Sequence, residues 1–223
     1  MSEMDRDCLN FEYERKFYVR ELPPEVAAHG AAQAIVQAYL FAQDGYAVRI
    51  RVRFSGAELE MPQFREEVHY AGGYERAALA HLLARGVETQ ATVAVKSPVV
   101  SAERYEMEEE IDLDVAVQIL RRSTNIVLKN RYALWYDEDG WLFDVFGGQN
   151  AGLIVAECER MSPVVNLRIP EFCITEVSND LRFTNDYLSK LPWSQWGPLW
   201  LEELSLRGPH FLDLQDPSEN SGS

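Results

Sequence analysis

Hydrophobic and polar positions alternate with a period of two along most of this chain. In residues 10–20 (NFEYERKFYVR), an extended backbone puts Glu12, Glu14 and Lys16 on one side and Phe11, Tyr13 and Phe17 on the other. Aromatic and β-branched residues there favour a strand. The same alternation predicts strands at 46–54 (YAVRIRVRF), 89–96, 104–113, 126–137, 140–148 and 152–161, while residues 32–41 look extended in their second half. Gly45 and the run Asp137–Gly140 read as hairpin turns. A helical period predicts a helix over 74–85 closed by Gly86. A second, over 114–123, carries Val115, Ile119 and Leu120 on one stripe and Asp114 near its start. Pro23 and Pro24 suit a further helix start, and 182–191 reads as a short helix.

The charged positions are sorted by sign, strand by strand. Arg49, Arg51 and Arg53 share one face, as do Lys129 and Arg131, and as do Glu157 and Glu159. Arg104, Glu106, Glu108 and Glu110 alternate through another strand, and Lys96 ends its own. Asp144 stands among Trp141, Leu142, Phe143, Val145 and Phe146, where an uncompensated charge is costly. The opposite faces hold Val48, Ile50, Val52, Val93, Val95, Tyr105, Ile126, Leu128 and Ile154, suited to lie under helices. A solvated sheet face needs no such sorting. The pattern predicts an α+β fold: a sheet curled into a barrel, polar inside, with helices outside. Like charges 4 Å apart repel by about 4 kcal/mol at an effective dielectric near 20. Clustered carboxylates therefore call for protons or metal, and clustered arginines for an anion, with polyphosphate the natural multivalent one.

Composition narrows the function. The formal net charge of −15 over 223 residues argues against a general binder of nucleic acid or anionic membrane, while leaving room for a local cationic pocket. Cys8, Cys158 and Cys173 lack metal-site spacing and read as reduced thiols of a cytoplasmic protein. The first residues lack the apolar core of a signal peptide, and no apolar run approaches the roughly 18 residues that span a membrane. The expected organisation is a loose leader at 1–9 and one domain at 10–191 with a helical segment inserted at 55–90. A C-terminal extension at 192–212 would dock through Trp193, Trp196 and Trp200, ahead of a disordered tail at 213–223.

The segment Glu12-Tyr13-Glu14-Arg15-Lys16 resembles the Glu-x-Glu-x-Lys signature of the CYTH domain, or triphosphate tunnel metalloenzyme, superfamily. The later blocks QAYLF…YAVRIRVRF, TVAVKS, RYEMEEEI, LKNRYAL, LFDVFGGQNAGLIVAECE and TEVSNDLRFTNDYL resemble its successive motifs in the same order, over about residues 10–190. The resemblance implies an eight-stranded antiparallel tunnel that binds a small triphosphate with Mg²⁺ or Mn²⁺. It places Lys16, Arg49, Arg51, Lys96, Arg104, Lys129, Arg131 and Arg182 toward phosphate. It places Glu12, Glu14, Glu108, Asp144, Glu157 and Glu159 toward metal, as hard oxygen ligands. Lys16 or Lys96, depressed in pKa by neighbouring cations, would accept the proton of the attacking water, or a glutamate would orient it. The chain departs from the pattern at Ala38 and Ser97-Pro98, where the family has glycine, and in the long insertion.

The implied activity is metal-dependent hydrolysis of the terminal phosphate, preferably of inorganic tripolyphosphate, by a monomer or homodimer without nucleic-acid or membrane partners. Two alternatives stand beside it. An adenylate cyclase acting on ATP would need a purine platform, for which Trp135, Tyr136 and Trp141 are candidates. A non-catalytic sensor of nucleotide or polyphosphate would use the 56–90 insertion to signal.

Overall fold

The computed structural model describes residues 13–29, 32–62, 64–65, 73–98, 105–160, 164 and 167–213. Nine strands form one antiparallel sheet: β1 (Tyr13–Val19), β2 (Gln33–Gln43), β3 (Tyr46–Ser55), β4 (Thr89–Lys96), β5 (Glu106–Glu110), β6 (Ile126–Tyr136), β7 (Asp139–Phe146), β8 (Ile154–Arg160) and β9 (Thr175–Glu176). Their order is β5-β4-β3-β2-β6-β7-β8-β1-β9. Five helices accompany them among the described residues: α1 (Pro24–His29), α2 (Gly73–Ala84), α3 (Leu113–Arg122), α4 (Asn185–Lys190) and α5 (Trp193–Arg207).

The α+β class and the antiparallel sheet agree with the expectation, but the strand count and the closure differ. The ladder runs open from β5 to β9 among the described residues. β5 is a five-residue strand, EMEEE, with charge on both faces, which suits an unpaired edge. β9 is two residues long, and its Glu176 N–H donates to the His210 carbonyl at 2.8 Å, so the C-terminal segment covers that edge. Both hairpin turns form. Asp44 and Gly45 take positive φ (51° and 83°), and Asp137 does so at 52° in a two-residue turn between Tyr136 and Asp139. β2 spans eleven residues, longer than the alternation suggested, because its first half is buried on both faces.

Side chains sort to the two faces of the sheet. On the convex side, Val36, Ile50, Val52, Phe54 and Leu128 pack under Leu79 and Leu82 of α2 and Leu120 of α3. Farther along, Phe17, Trp141, Phe143 and Cys158 pack under Val26 of α1 and Leu167. Tyr105, expected on this side, is exposed. α3 starts one residue earlier than predicted, capped by Asp112, whose carboxylate accepts from the Val115 N–H at 3.0 Å. Of the expected stripe, Leu120 is buried and Ile119 packs against the core, joined by Ala116 and Val117, while Val115 is 53% exposed. The described part of the insertion also lies on the convex face. The Asn130 side chain accepts from the Leu59 N–H at 3.1 Å and donates to the Leu59 carbonyl at 2.7 Å.

A third apolar cluster sits on the concave side, at one end. Tyr18, Val127, Phe146 and Val155 point inward by register and meet Phe183, Leu188, Trp193 and Trp200. The Trp193 and Trp200 rings lie 5.7 Å apart and Phe183 sits 4.9 Å from Trp200. The expected docking of the C-terminal tryptophans is thus realised as a helix, α5, whose aromatic face seals that end. Gly197 is required there: a Cβ would come within 2.4 Å of the Trp193 ring. The leader expected at 1–9, and all but the first residue of the tail expected at 213–223, lie outside the described residues.

Candidate functional site

The concave face bounds a cavity of about 410 Å³, lined by side chains from seven of the nine strands and by the segment before α4. Register explains which side chains reach it. Lys16 faces Glu157 across β1 and β8, Arg131 faces Asp144 across β6 and β7, and Arg51 faces Gln37 and Thr92. The alternation that sorted the charges in the sequence thus puts them on one wall.

Two ion-pair networks stand on that wall. In the first, Arg131 donates to Asp144 Oδ1 and to Glu157 Oε2, both at 2.7 Å, and Lys16 reaches Glu14 at 3.0 Å and Glu157 at 3.2 Å. Lys129, fully buried, donates to Asp144 and, at 3.2 Å, to Asn185 Oδ1. In the second, Arg49 and Arg53 hold Glu108 at 2.8 and 2.5 Å, and Lys96 pairs with Glu106. Asp144 is also fully buried, and two cations answer its charge.

The electrostatics are uneven. Burial disfavours the charged form of Glu108, but Arg51, Arg49, the Thr92 hydroxyl and Arg53 outweigh it and hold the carboxyl down at about 2. Arg51 is in the reverse position: burial and the nearby Arg49, Arg131 and Arg53 push its guanidinium down to about 9, against a single partly compensating acid, Glu108. Burial and Arg131 likewise bring Lys129 down to about 7 in spite of Asp144. The Lys16 ammonium is not depressed in pKa by neighbouring cations, as expected of a proton acceptor, but raised. Burial acts against its charge, but Glu14 and Glu157 prevail and hold the ammonium protonated well above the usual lysine range.

Two buried donors on the cationic wall, Arg49 Nε and Gln37 Nε2, have no hydrogen-bond partner among the described residues. Buried donors left unpaired are costly, and bonds to an anionic acceptor are the strong ones. A metal ion also fits the donor set. Glu14 and Glu159 are cross-strand neighbours facing the cavity. Burial, then Glu14 and Glu157, raise the Glu159 carboxyl above its usual range, a repulsion that a divalent cation relieves. No group of three or more His, Cys, Asp or Glu side chains is gathered into a ready metal site among the described residues. A pair of carboxylates suits Mg²⁺, which is ordinarily held by one or two of them together with substrate phosphates and water.

Of the residues the resemblance pointed to, Lys16, Arg49, Arg51, Lys96, Arg131, Glu14, Glu108, Glu157 and Glu159 line the cavity, and Lys129 and Asp144 stand behind it. Arg182 stands apart: it bonds Asp180 at 2.7 Å and lies 5.3 Å over the Trp196 ring. Glu12 and Arg104 lie outside the described residues. Gln37, Tyr39, Thr92, Ser178 and Asn185 also reach the cavity wall or its ion pairs and carry no charge that a sign pattern registers. Of these, only Gln37, Tyr39 and Thr92 had a sequence signal, their inward register beside Arg49 and Arg51. Cys158 and Cys173 are free buried thiols away from this wall, and Cys8 lies outside the described residues.

The fold and the wall together define an α+β protein whose antiparallel sheet gathers cations and carboxylates on its concave face. No protein-family model matches the chain. It is 30% identical over 106 residues to the inorganic triphosphatase of Acetivibrio thermocellus, covering 47% of this chain and 68% of that one. The chain belongs to the CYTH, or triphosphate tunnel, family. Among solved structures, the inorganic triphosphatase NE1496 aligns over 80% of this chain and 93% of its own, with 23% identity and a TM-score of 0.49. HpAC1 of Hippeastrum, a proposed adenylyl cyclase with a dominant triphosphatase activity, aligns over 68% of this chain and 80% of its own at 13% identity and a TM-score of 0.37.

Proposed function

We propose that the protein is a metal-dependent triphosphatase that releases the terminal phosphate of a triphosphate held in the concave cavity, with inorganic tripolyphosphate as substrate. The observation that carries this reading is the crowding of Arg49, Arg51, Arg53 and Arg131 around buried donors without acceptors. A polyanion is the ligand that relieves all of it at once.

Arg49, Arg51, Arg53 and Lys96 offer charge-assisted bonds to the phosphate oxygens, and Lys16 adds a cation fixed by Glu14 and Glu157. Glu106 and Glu108 keep these side chains extended toward the cavity until substrate competes for them. Glu14 and Glu159 would hold the Mg²⁺ or Mn²⁺, which when bound neutralises charge on the phosphoryl oxygens. The residues of the wall position the terminal phosphorus for in-line attack by water, where catalysis is mostly placement and charge stabilisation.

Phosphate release from tripolyphosphate with Mg²⁺ or Mn²⁺ tests the reading. Arg51→Ala lowers kcat/KM by about 100-fold or more, the loss seen when a transition-state donor is removed. Cyclic AMP formed from ATP without free phosphate would overturn the proposal in favour of a cyclase. Tight triphosphate binding with no turnover under either metal would turn it into a sensor.

A further inference from the structure

The peptide groups of Lys16 point away from β8. Its carbonyl accepts from the Val177 N–H at 2.8 Å, and its N–H donates to Ser178 Oγ at 3.0 Å. Both partners lie just past the end of β9, which pairs with β1 only at Phe17 and Tyr18. A longer strand would offer a carbonyl to the Lys16 N–H. Here β9 has ended, and the Ser178 hydroxyl stands in for it.

The hydroxyl is itself held. The nearer of two acceptors for its proton is Glu176 Oε1 at 2.7 Å, and the Lys16 carbonyl is 3.5 Å away. Glu176 is buried and accepts from Arg15 Nε at 2.9 Å, from Arg15 Nη2 at 2.5 Å and from the Leu212 N–H at 2.8 Å. Burial disfavours its charge, but the bonds from Arg15, Ser178 and Leu212 prevail and keep the carboxyl below its usual range. Arg15 and Lys16 are successive residues of β1, so their side chains leave it on opposite faces. The Arg15–Glu176 pair is thus a buried anchor behind the sheet. Ser178 carries the hold of that anchor to the concave side, where it lines the cavity together with Lys16.

The Lys16 ammonium ends a flexible four-carbon stem. Glu14 and Glu157 hold it at 3.0 and 3.2 Å. A polyanion that competes for the ammonium loosens those contacts, and the root of the stem then decides where the charge can reach. We propose that Ser178, backed by Glu176, is a positioning residue for Lys16 and sets where its ammonium meets the phosphates of the substrate. The inference rests on the triphosphatase reading for the identity of that substrate. It gives a task to an uncharged side chain outside the strands.

The test is a double-mutant cycle of Ser178→Ala and Lys16→Met, with Ser178→Thr as the variant that keeps the hydroxyl. Two quantities are read on tripolyphosphate: kcat/KM with Mg²⁺, and the equilibrium dissociation constant in EDTA. Ser178→Ala lowers kcat/KM and raises the dissociation constant about tenfold when Lys16 is present, and changes either by less than about twofold in the Lys16→Met background, since one residue acts through the other. Ser178→Thr stays within about twofold of wild type. An equal loss from Ser178→Ala in both backgrounds, or no loss in either, overturns the proposal, as does a Ser178→Thr variant as impaired as Ser178→Ala. If wild type binds tripolyphosphate without hydrolysing it, the triphosphatase reading fails, while the cycle in dissociation constants still decides the role of Ser178. A wild type that does not bind tripolyphosphate overturns both.

Discussion

Single residues in this wall are defined less by their own charge than by what faces them. Glu108 is the clearest case. Its carboxyl titrates near 4.5 in an unfolded chain but is held at about 2 in the folded one. The folded state therefore binds fewer protons in between, and the stability this supplies is present above about 4.5 and lost as pH falls toward 2. Glu108→Gln removes that component, so the fall in urea midpoint between pH 5 and pH 2.5 is smaller in the variant than in wild type. An equal fall in both would show that Glu108 does not couple to Arg49, Arg51 and Arg53. The alternation of signs was enough to place Lys16, Arg49, Arg51, Lys129, Glu108, Asp144 and Glu157 on one face, because register in a half-buried sheet follows the side-chain period. It was silent on Arg182, which lies in a 3₁₀ turn rather than a strand, and on Gln37 and Asn185, which are polar without charge. It also gave no sign that the Lys16 pKa is raised rather than depressed. Protonation depends on which acids stand across the sheet, and Glu157 is 141 residues away in the chain.

At the scale of elements, the strands were legible and the plug was not. Period-two alternation located β3, β4, β6, β7 and β8 to within one or two residues, since each has one apolar and one polar face. The edge strand β9 is too short to carry a pattern, and the run of β5 at the other edge gives no sign of where pairing stops. α5 escaped as a helix because Gly197 and Pro198 interrupt its sequence, yet Gly197 is what lets the backbone pass the Trp193 ring. Gly197→Ala sets a methyl 2.4 Å from that ring and forces Trp193 to move. Overpacking of this kind costs about 1–3 kcal/mol. A urea midpoint unchanged from wild type would mean that α5 is not seated on Tyr18 and Phe183 as described.

The whole molecule carries a contradiction that function must resolve. The cavity gathers cations, yet the chain as a whole has a net charge of −15. A substrate at a distance meets the acidic exterior, and only within the mouth does it meet the arginines. Added salt screens the first interaction more than the second, because the Debye length shrinks from about 30 Å at 0.01 M to about 8 Å at 0.15 M. The association rate of tripolyphosphate is therefore expected to rise over that range, in contrast to the fall seen when opposite charges steer a ligand. Stopped-flow binding at constant pH and free Mg²⁺ measures it. A steep fall with salt would place the long-range field at the mouth rather than over the exterior.

The seal of Phe183, Trp193 and Trp200 over Tyr18 and Phe146 has a consequence for traffic. We expect the cluster to stop the concave space at that end and to leave the other end as the way in and out. Substrate arriving and both products departing must share it, so they queue. The fragment seated deepest leaves last, and while it stays no new substrate is admitted. Pyrophosphate added in excess should then act as a competitor for entry, raising the apparent KM for tripolyphosphate without lowering the maximal rate. Inhibition that instead lowered the maximal rate at unchanged KM would indicate a second way out past the tryptophans.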